Sequence, residues 1–253
     1  MDKPLVRISV RNLVEFILRS GDLDNRRGSA DKEAMLKGSR LHRKIQGQMG
    51  SHYRAEVSLK YITEYEDVDI QVEGRADGIF MESDQYYIDE IKGIYADVSQ
   101  LEKPAEVHRA QAMCYAWIYA QEQQLEKIGV QMTYGNLDTE ELRYFREDHT
   151  LEELRQWYQE LMDRYHKWIA YQLAWKKERN ESMNDLEFPF EYREGQRRIV
   201  SGVYHTISTE RQIFIQAPTG VGKTMSAIFP AVRAVGAGMG ENIFYLTAKT
   251  ITR

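Results

Sequence analysis

The carboxylates of Asp77 and Glu90 and the ammonium group of Lys92 are the side chains of this sequence best suited to chemistry. Two carboxylates held close together repel each other, and one of them resists ionisation unless a cation lies between them. A divalent ion with oxygen ligands, Mg²⁺ or Mn²⁺, suits such a place. Lys92 beside the ion would orient a water molecule or stabilise a phosphate, so the three residues predict a phosphodiesterase.

A predicted β-hairpin brings these side chains together. Two strands rich in β-branched and aromatic residues flank a polar loop of hairpin length, with the strands at residues 69–81 and 86–93 and the loop at 82–85. If the hairpin closes symmetrically, Asp77 faces Glu90 and their Cβ atoms lie about 4.5–5.5 Å apart. The same register places Arg75 opposite Lys92. Because residues two apart share one face of a strand, all four side chains project together.

A structural interpretation of the same residues stays open. Acidic and basic residues across a hairpin also form crossed salt bridges on a solvated sheet face, and a generic pattern of this kind is common by chance. A register slip of one residue would turn every side chain to the other face of the sheet. The hairpin alone therefore leaves both a catalytic and a structural role for Asp77, Glu90 and Lys92.

Two predicted helices carry further candidates. A helix over about 31–48 contains His42, which is either a surface residue or a metal ligand that reaches the ion from outside the sheet. A helix over 104–125 carries Gln111 and Tyr115 on one face, where they offer hydrogen bonds to a backbone phosphate or a base edge. A core helix with a polar flank would show the same pattern.

The remaining elements define two domains. Alternating or turn-bounded segments predict further strands at residues 54–64, 128–134 and 140–145. Ser9 is the predicted N-cap of the first helix, and Thr150 with Glu153 forms a capping box that opens a long helix to about residue 178. Because the residues from 179 to 187 are polar, we expect a first domain over 1–180, a linker over 181–187 and a second domain over 188–253.

The second predicted domain contains a phosphate-binding motif. A short predicted strand, 212–216, leads into the glycine-rich loop 217–224 (APTGVGKT) at the start of a helix, and another predicted strand follows at 243–246. Backbone N–H groups of such a loop, with the helix dipole, hold a triphosphate. Lys223 would reach the β and γ phosphates and Thr224 would hold Mg²⁺.

Composition sets broad limits on the function. The net charge of −5 is distributed unevenly, with six excess positive charges over 1–60, fifteen excess negative charges over 61–187 and four excess positive charges over 188–253. A basic N-terminal segment can supply phosphate contacts while the acidic middle holds metal. No apolar run approaches 18 residues and no signal peptide is visible, so we expect a cytoplasmic protein without a membrane span. The single cysteine, Cys114, excludes a four-cysteine iron–sulfur cluster or zinc site within this chain.

Residues 9–115 resemble the nuclease module of the PD-(D/E)XK superfamily in its RecB-like branch. Four short motifs in the order of that branch support the resemblance: Gly38-x-x-x-His42, Gly74-Arg75-Ala76-Asp77, Glu90-Ile91-Lys92 and Gln111-x-x-x-Tyr115. Ala76 stands where the superfamily name has a proline. The resemblance implies an α/β fold with a restriction-endonuclease-like core, a mixed sheet flanked by helices.

The resemblance also implies roles for individual residues. His42, Asp77 and Glu90 would ligate Mg²⁺ or Mn²⁺ together with the Ile91 carbonyl, and Lys92 would position the attacking water. The residues expected to contact DNA are Gln111, Tyr115 and Arg75. Some relatives in this branch bind an iron–sulfur cluster through cysteines that this chain does not have.

Residues 188–253 resemble the start of an XPD/DinG-like superfamily 2 DNA helicase, which implies a partial RecA-like P-loop fragment. The resemblance lies in Tyr192–Gln196, Ala217–Thr224 and Tyr245–Thr250. The residues it assigns to ATP binding are Gln196, Gly220, Gly222, Lys223 and Thr224. Because no later strand with an acidic metal-binding pair follows, ATP hydrolysis by this chain is not expected.

Three functions are consistent with these patterns. The first is a metal-dependent DNA nuclease, an exonuclease or endonuclease, within a nuclease–helicase fusion that acts on DNA ends, single strands or flaps in DNA repair or processing. The second is an ATP-dependent helicase fragment whose N-terminal domain only binds DNA. The third is a degenerate nuclease fold that serves as a docking module for a partner.

Overall fold

The computed structural model describes residues 3–20 and 32–247, and the chain divides into two compact units, Met1–Trp168 and Ile169–Arg253. The first unit has a mixed α/β fold. Its sheet contains β1 (Leu5–Ser9), β2 (Arg54–Glu64), β3 (Asp69–Glu82), β4 (Gln85–Ile94), β5 (Lys127–Asn136) and β6 (Leu142–Thr150). The helices of the chain are α1 (Val10–Leu18), α2 (Lys32–Gln48), α3 (Glu106–Gln123), α4 (Leu151–Asn184), α5 (Gln196–Ser208) and α6 (Lys223–Gly236).

Strand β3 organises the sheet because it pairs with three other strands. The strand order is β1-β3-β4-β5-β6, and β2 pairs with β3 outside this path. β1 is parallel to β3 and β4 is parallel to β5, whereas the other pairings are antiparallel. The sheet is therefore mixed, as the sequence predicts.

The predicted hairpin forms with the predicted register. Met81 pairs with Tyr86, and the strands are joined by Ser83 and Asp84 with φ angles of +50° and +63°. Two consecutive left-handed residues match the twist of the strands in a two-residue hairpin turn. The predicted strand 54–64 is also confirmed as β2. β1 was not predicted, because five residues are too few to show a clear alternation.

Local capping signals place the helix starts correctly. The Asn12 N–H donates to the Ser9 hydroxyl at the start of α1. At the start of α4, Glu153 N–H donates to Thr150 Oγ1 (3.2 Å) and Thr150 N–H donates to the Glu153 carboxylate (2.8 Å). The helix then continues through Asn184 and so includes residues 181–184 of the predicted linker, since no glycine or proline interrupts the polar stretch.

Helix α3 is buried almost all round rather than on one stripe. Every residue from 110 to 120 is buried, because the helix packs against β4 and β5 and also against α1. The chain's single cysteine, Cys114, is among them and is 0% exposed. The polar flank predicted for this helix therefore lies in the interior of the unit.

Two strands predicted in the second unit are wrong. Residues 212–216 and 243–246 are not in strands, and Phe214, Phe244 and Leu246 are 95%, 84% and 89% exposed. A strand needs a neighbouring strand for its backbone hydrogen bonds, and neither segment pairs with another in the described ranges. Helices α5 and α6 do form. The end of the predicted motif Tyr245–Thr250 lies outside the described residues.

No helix within residues 3–20 and 32–247 combines the length and apolar character needed to cross a membrane.

The apolar face of α2 packs on β4 and on the turn after β5. Leu41, Ile45 and Ile91 form a buried cluster. Partly buried leucines at positions 137 and 142 pack against this cluster. Gly135 gives room for the contact, since a Cβ there would lie 2.6 Å from Leu41 Cδ2. This cluster holds α2 against the sheet.

We expect Leu41→Ala to lower the free energy of unfolding by about 2–5 kcal/mol, because it opens a cavity under α2. Leu36→Ala in the same helix is the matched control, because Leu36 is 61% exposed, and it should change stability by less than about 0.5 kcal/mol. Urea denaturation followed by circular dichroism measures both. Equal losses in the two variants would contradict the packing of α2.

Candidate active site

The candidate site lies in a gap along one edge of β3. β2 occupies one edge of β3, while β1 pairs with residues 69–73 and β4 with residues 78–82 on the other. Residues 74–77, which include Asp77, lie between β1 and β4, and no strand among the described residues pairs with them on that edge. The predicted acidic strand therefore borders an opening in the sheet.

Asp77 lies at the point where β4 separates from β3. The last pair of the β3–β4 ladder is Gly78 with Asp89. Beyond this pair, the Ile91 N–H of β4 donates a hydrogen bond to Asp77 Oδ2 at 2.8 Å. A side-chain oxygen thus accepts the N–H in place of a backbone carbonyl. This hydrogen bond keeps β4 close to β3 and brings Glu90 into the neighbourhood of Asp77.

The predicted pairing of Arg75 with Lys92 is wrong. Because the ladder ends at Asp89, β4 has already diverged at Lys92. Arg75 instead forms an ion pair with Glu56 of β2, with 2.7 Å between Arg75 Nε and Glu56 Oε2. Arg75 thus stays at the margin of the gap while Lys92 lies within it.

Glu90 is a buried carboxyl group with one oxygen satisfied. Its side chain is 1% exposed, and Oε1 accepts a hydrogen bond from the Lys92 ammonium group. No residue in the described part of the chain donates a hydrogen bond to the other oxygen, Oε2. Burial and the neighbouring charge of Asp77 outweigh the attraction of Lys92, and the pKa of Glu90 is raised to about 8. In this environment the carboxyl group of Glu90 favours a bound proton or a neighbouring cation.

His42 reaches Asp77 from α2. Its Nδ1 lies 3.5 Å from Asp77 Oδ1, so the two oxygens of Asp77 face different partners. Burial would lower the pKa of His42, but the hydrogen bond and charge of Asp77 outweigh burial and raise it. The structure thus brings together the predicted residues His42, Asp77 and Glu90.

Gln111 and Tyr115 meet the site from α3. Gln111 Oε1 accepts a hydrogen bond from Lys92 Nζ at 3.5 Å, and Gln111 and Tyr115 are 9% and 3% exposed. Tyr115 lies over Gly74, where an added Cβ would be 2.5 Å from the tyrosine hydroxyl. Burial raises the pKa of Tyr115. Both residues are placed at the site as predicted, and their contact with DNA stays a prediction.

A metal-binding cluster is not fully assembled. In the part of the chain that the structure describes, no group of three or more His, Cys, Asp or Glu side chains is arranged to hold a metal ion. Glu90 is turned towards Lys92, which leaves Asp77 and His42 facing each other. The buried, unpartnered Glu90 Oε2 is nevertheless the kind of oxygen that a cation would satisfy, so the donor set suits Mg²⁺ or Mn²⁺.

A second buried acid, Asp89, was not predicted to matter. It is 0% exposed and accepts hydrogen bonds from Thr133 (2.6 Å), Gln131 (3.1 Å) and Tyr53 (3.0 Å). Tyr53 reaches it across Gly78, where any Cβ would overlap the tyrosine hydroxyl. Because successive side chains of a strand point to opposite faces, the sequence does indicate that Asp89 faces away from Glu90. Asp89 thus ties the end of the β3–β4 ladder to β5.

Gln46 and Glu56 complete the surroundings of Asp77. The Gln46 side-chain amide donates to Glu56 Oε1 and to the Asp77 carbonyl, both at 2.9 Å. Glu56, the third residue of β2, has a φ of +56° and is left out of the pairing between β2 and β3. Non-glycine residues in this region of φ and ψ are concentrated at functional sites. Sequence alternation gives no signal for this conformation.

These residues line an open cleft of about 640 Å³. Its wall includes His42, Asp77, Gln111 and Tyr115 from the predicted site. Lys92 reaches this wall through its contact with Gln111. The cleft is therefore the surface from which a substrate would approach the acids.

In the second unit, the glycine-rich loop 217–224 contains two glycines in the left-handed region. Gly220 and Gly222 have φ angles of +85° and +82°, which side chains rarely adopt. Lys223 Nζ donates to the carbonyls of Ala217 (3.0 Å) and Pro218 (2.9 Å), so the lysine folds over the loop. The loop opens directly into α6 with Gly222 as its N-cap.

The other predicted ATP-binding residues lie beside this loop. Gln196 is 4% exposed, and its amide nitrogen would be 2.6 Å from a Cβ at Gly222. Thr224 Oγ1 lies 3.4 Å from the Tyr245 hydroxyl. The structure therefore gathers all five predicted residues of the second unit around one loop.

Comparisons with known proteins identify no family for this chain. No protein-family model matches the chain, and no curated protein matches it. The chain is similar to the crystal structure of SSO0001, with a TM-score of 0.44 and 18% sequence identity over 70% of this chain and 84% of that chain. A similarity at this level does not inform function.

We expect the stability of the metal-free protein to depend on pH through Glu90. The folded-state pKa of about 8 exceeds the ordinary value of 4.5. The folded state therefore binds more protons between these values, and stability falls as pH rises through this window. Each unit of difference corresponds to about 1.4 kcal/mol. Glu90→Gln cannot ionise and should lack this loss.

Thermal unfolding in chelator measures the effect. The melting temperature of Glu90→Gln minus that of the wild type should increase between about pH 5 and about pH 8. Glu160→Gln on α4 serves as the matched control, because Glu160 is exposed, and its difference from the wild type should stay flat. A flat difference for Glu90→Gln as well would contradict the raised pKa.

Proposed function

We propose that this chain is a metal-dependent deoxyribonuclease with a RecB-like PD-(D/E)XK core that hydrolyses phosphodiester bonds. The observation that carries the proposal is the separation of β4 from β3 at Asp77, which gathers Asp77, Glu90 and Lys92 at one opening. A buried carboxylate oxygen without a partner lies in the same opening. A solvated face with crossed salt bridges would leave these acids exposed, whereas Glu90 is 1% exposed.

Each residue has a role in this proposal. Asp77, Glu90, His42 and the Ile91 carbonyl would hold Mg²⁺ or Mn²⁺, which supplies charge stabilisation at the phosphate and acidifies a bound water. Lys92 orients the attacking water, and Gln111 holds the Lys92 ammonium group in place. Tyr115 closes the wall of the cleft over Gly74. DNA strands, ends or flaps are the proposed substrates.

Cleavage of labelled DNA with Mg²⁺ or Mn²⁺ tests the proposal. We expect Lys92→Ala to lower the rate by about 10²–10⁴-fold, as for loss of a group that assists proton transfer. Lys127→Ala is the matched control, since Lys127 is exposed at the start of β5, pairs with Thr150 and does not line the cleft, and this variant should cleave like the wild type. Equal cleavage by wild type and Lys92→Ala would indicate a contaminating nuclease and refute the proposal.

Metal binding separates this function from a docking module. Titration calorimetry with Mn²⁺ should give binding to the wild type and much weaker binding to Asp77→Asn. Failure of the wild type to bind Mn²⁺ would favour a degenerate nuclease fold that docks a partner. Salt-dependent DNA binding without cleavage would instead favour a domain that only binds DNA.

We also propose that the second unit binds ATP as part of a RecA-like, helicase-type fragment, so that the whole is a nuclease–helicase fusion. The supporting observation is the loop with left-handed Gly220 and Gly222 in front of α6, over which Lys223 folds. The Lys223 ammonium group donates hydrogen bonds to loop carbonyls, and the oxygens of a triphosphate would replace these carbonyls as acceptors.

We expect Lys223→Ala to weaken binding of a fluorescent ATP analogue by about 10- to 100-fold, because a hydrogen bond to a charged group contributes about 1.5–3 kcal/mol. Lys177→Ala, an exposed change on α4, is the control and should bind like the wild type. Unchanged affinity in Lys223→Ala, measured by fluorescence anisotropy, would exclude a phosphate-binding role for the loop.

A further inference from the structure

Three arginines from three different elements line the cleft in front of Asp77. Arg11 lies on α1, Arg43 on α2 and Arg75 on β3. Of these, only Arg75 belongs to a motif that the sequence singles out. Their convergence on one cleft depends on the tertiary packing of the two helices against the sheet.

Each of the three is held by a contact through its Nε atom. Arg11 Nε donates to Glu15 Oε1 at 2.8 Å, one helical turn along α1. Arg43 Nε donates to the Ser39 carbonyl at 3.2 Å. Arg75 Nε lies 2.7 Å from Glu56 Oε2. In each case the side chain is restrained at Nε, and no residue of 3–20 or 32–247 forms a hydrogen bond with its two Nη nitrogens, which can therefore bind a ligand.

This arrangement suits phosphate groups. A guanidinium presents its donors in a planar fork that matches the geometry of a phosphate, and prior restraint of the side chain reduces the entropy lost on binding. The arginines share the cleft with Gln111 and Tyr115, which add polar groups. The side chains of Arg11 and Arg75 are 73% and 65% exposed, so both remain accessible.

We infer that Arg11, Arg43 and Arg75 hold successive phosphates along one DNA strand across the cleft. This inference rests on the proposed nuclease function and identifies residues that would bind its DNA substrate. Two of the three residues, Arg11 and Arg43, are contributed by α1 and α2 and bind the strand outside the region of Asp77 and Glu90.

Binding in the absence of metal tests the inference separately from cleavage. A fluorescein-labelled single-stranded oligonucleotide is titrated with the full chain in EDTA, at salt concentrations from about 50 to 300 mM. The logarithm of the association constant should fall with the logarithm of salt concentration by about 0.7 for each phosphate contact in a single strand. Arg11→Ala and Arg43→Ala should each reduce the slope by about 0.7, and Arg11→Lys should retain it because the charge is kept.

Arg155→Ala is the control for loss of one positive charge. Arg155 is exposed on α4, pairs with Glu152 and does not line the cleft, so this variant should keep the wild-type slope. Slopes of Arg11→Ala and Arg43→Ala equal to that of Arg155→Ala would overturn the inference. A wild type that binds with the expected slope but does not cleave would refute the nuclease and leave this inference supported.

Discussion

The hydrogen bond from the Ile91 N–H to the Asp77 carboxylate is the interaction on which the site depends. A strand that leaves its neighbour inside a protein exposes unpaired N–H groups, and each buried one costs about 1–3 kcal/mol. Here a side chain accepts the N–H immediately beyond the last pair of the ladder. Along one edge, β3 therefore pairs first with β1 and then with β4. Side chains from α2 and α3 enter the opening between these two strands.

Two neighbouring acids on β4 point to opposite faces of the sheet and have different surroundings. Asp89 faces one side of the sheet, where three donors satisfy its carboxylate. Glu90 faces the other side, where Lys92 satisfies one oxygen and the second is left unpartnered. Both pKa values are raised by burial. Hydrogen bonds from the fold thus stabilise Asp89, whereas Glu90 has one oxygen that a positive charge would stabilise.

Local interactions explain what could be predicted from the sequence. The hairpin register follows from a two-residue turn at Ser83 and Asp84, and the helix starts follow from capping groups that lie within three residues. The pairing of Arg75 and the burial of Gln111 depend on where distant strands and helices pack, which a single sequence does not record. The strands expected at 212–216 and 243–246 show the same limit, because strand propensity without a pairing neighbour does not make a strand.

The burial of Cys114 inside α3 has a practical consequence. Thiol reagents attack the thiolate, and burial both hides this side chain and raises its pKa. Since the chain has no other cysteine, the folded protein offers no natural target for maleimide dyes or spin labels. A cysteine introduced at exposed Arg40 of α2 would take up such a probe alone, and the motion of the helix that carries His42 becomes accessible to spectroscopy without first removing any native residue.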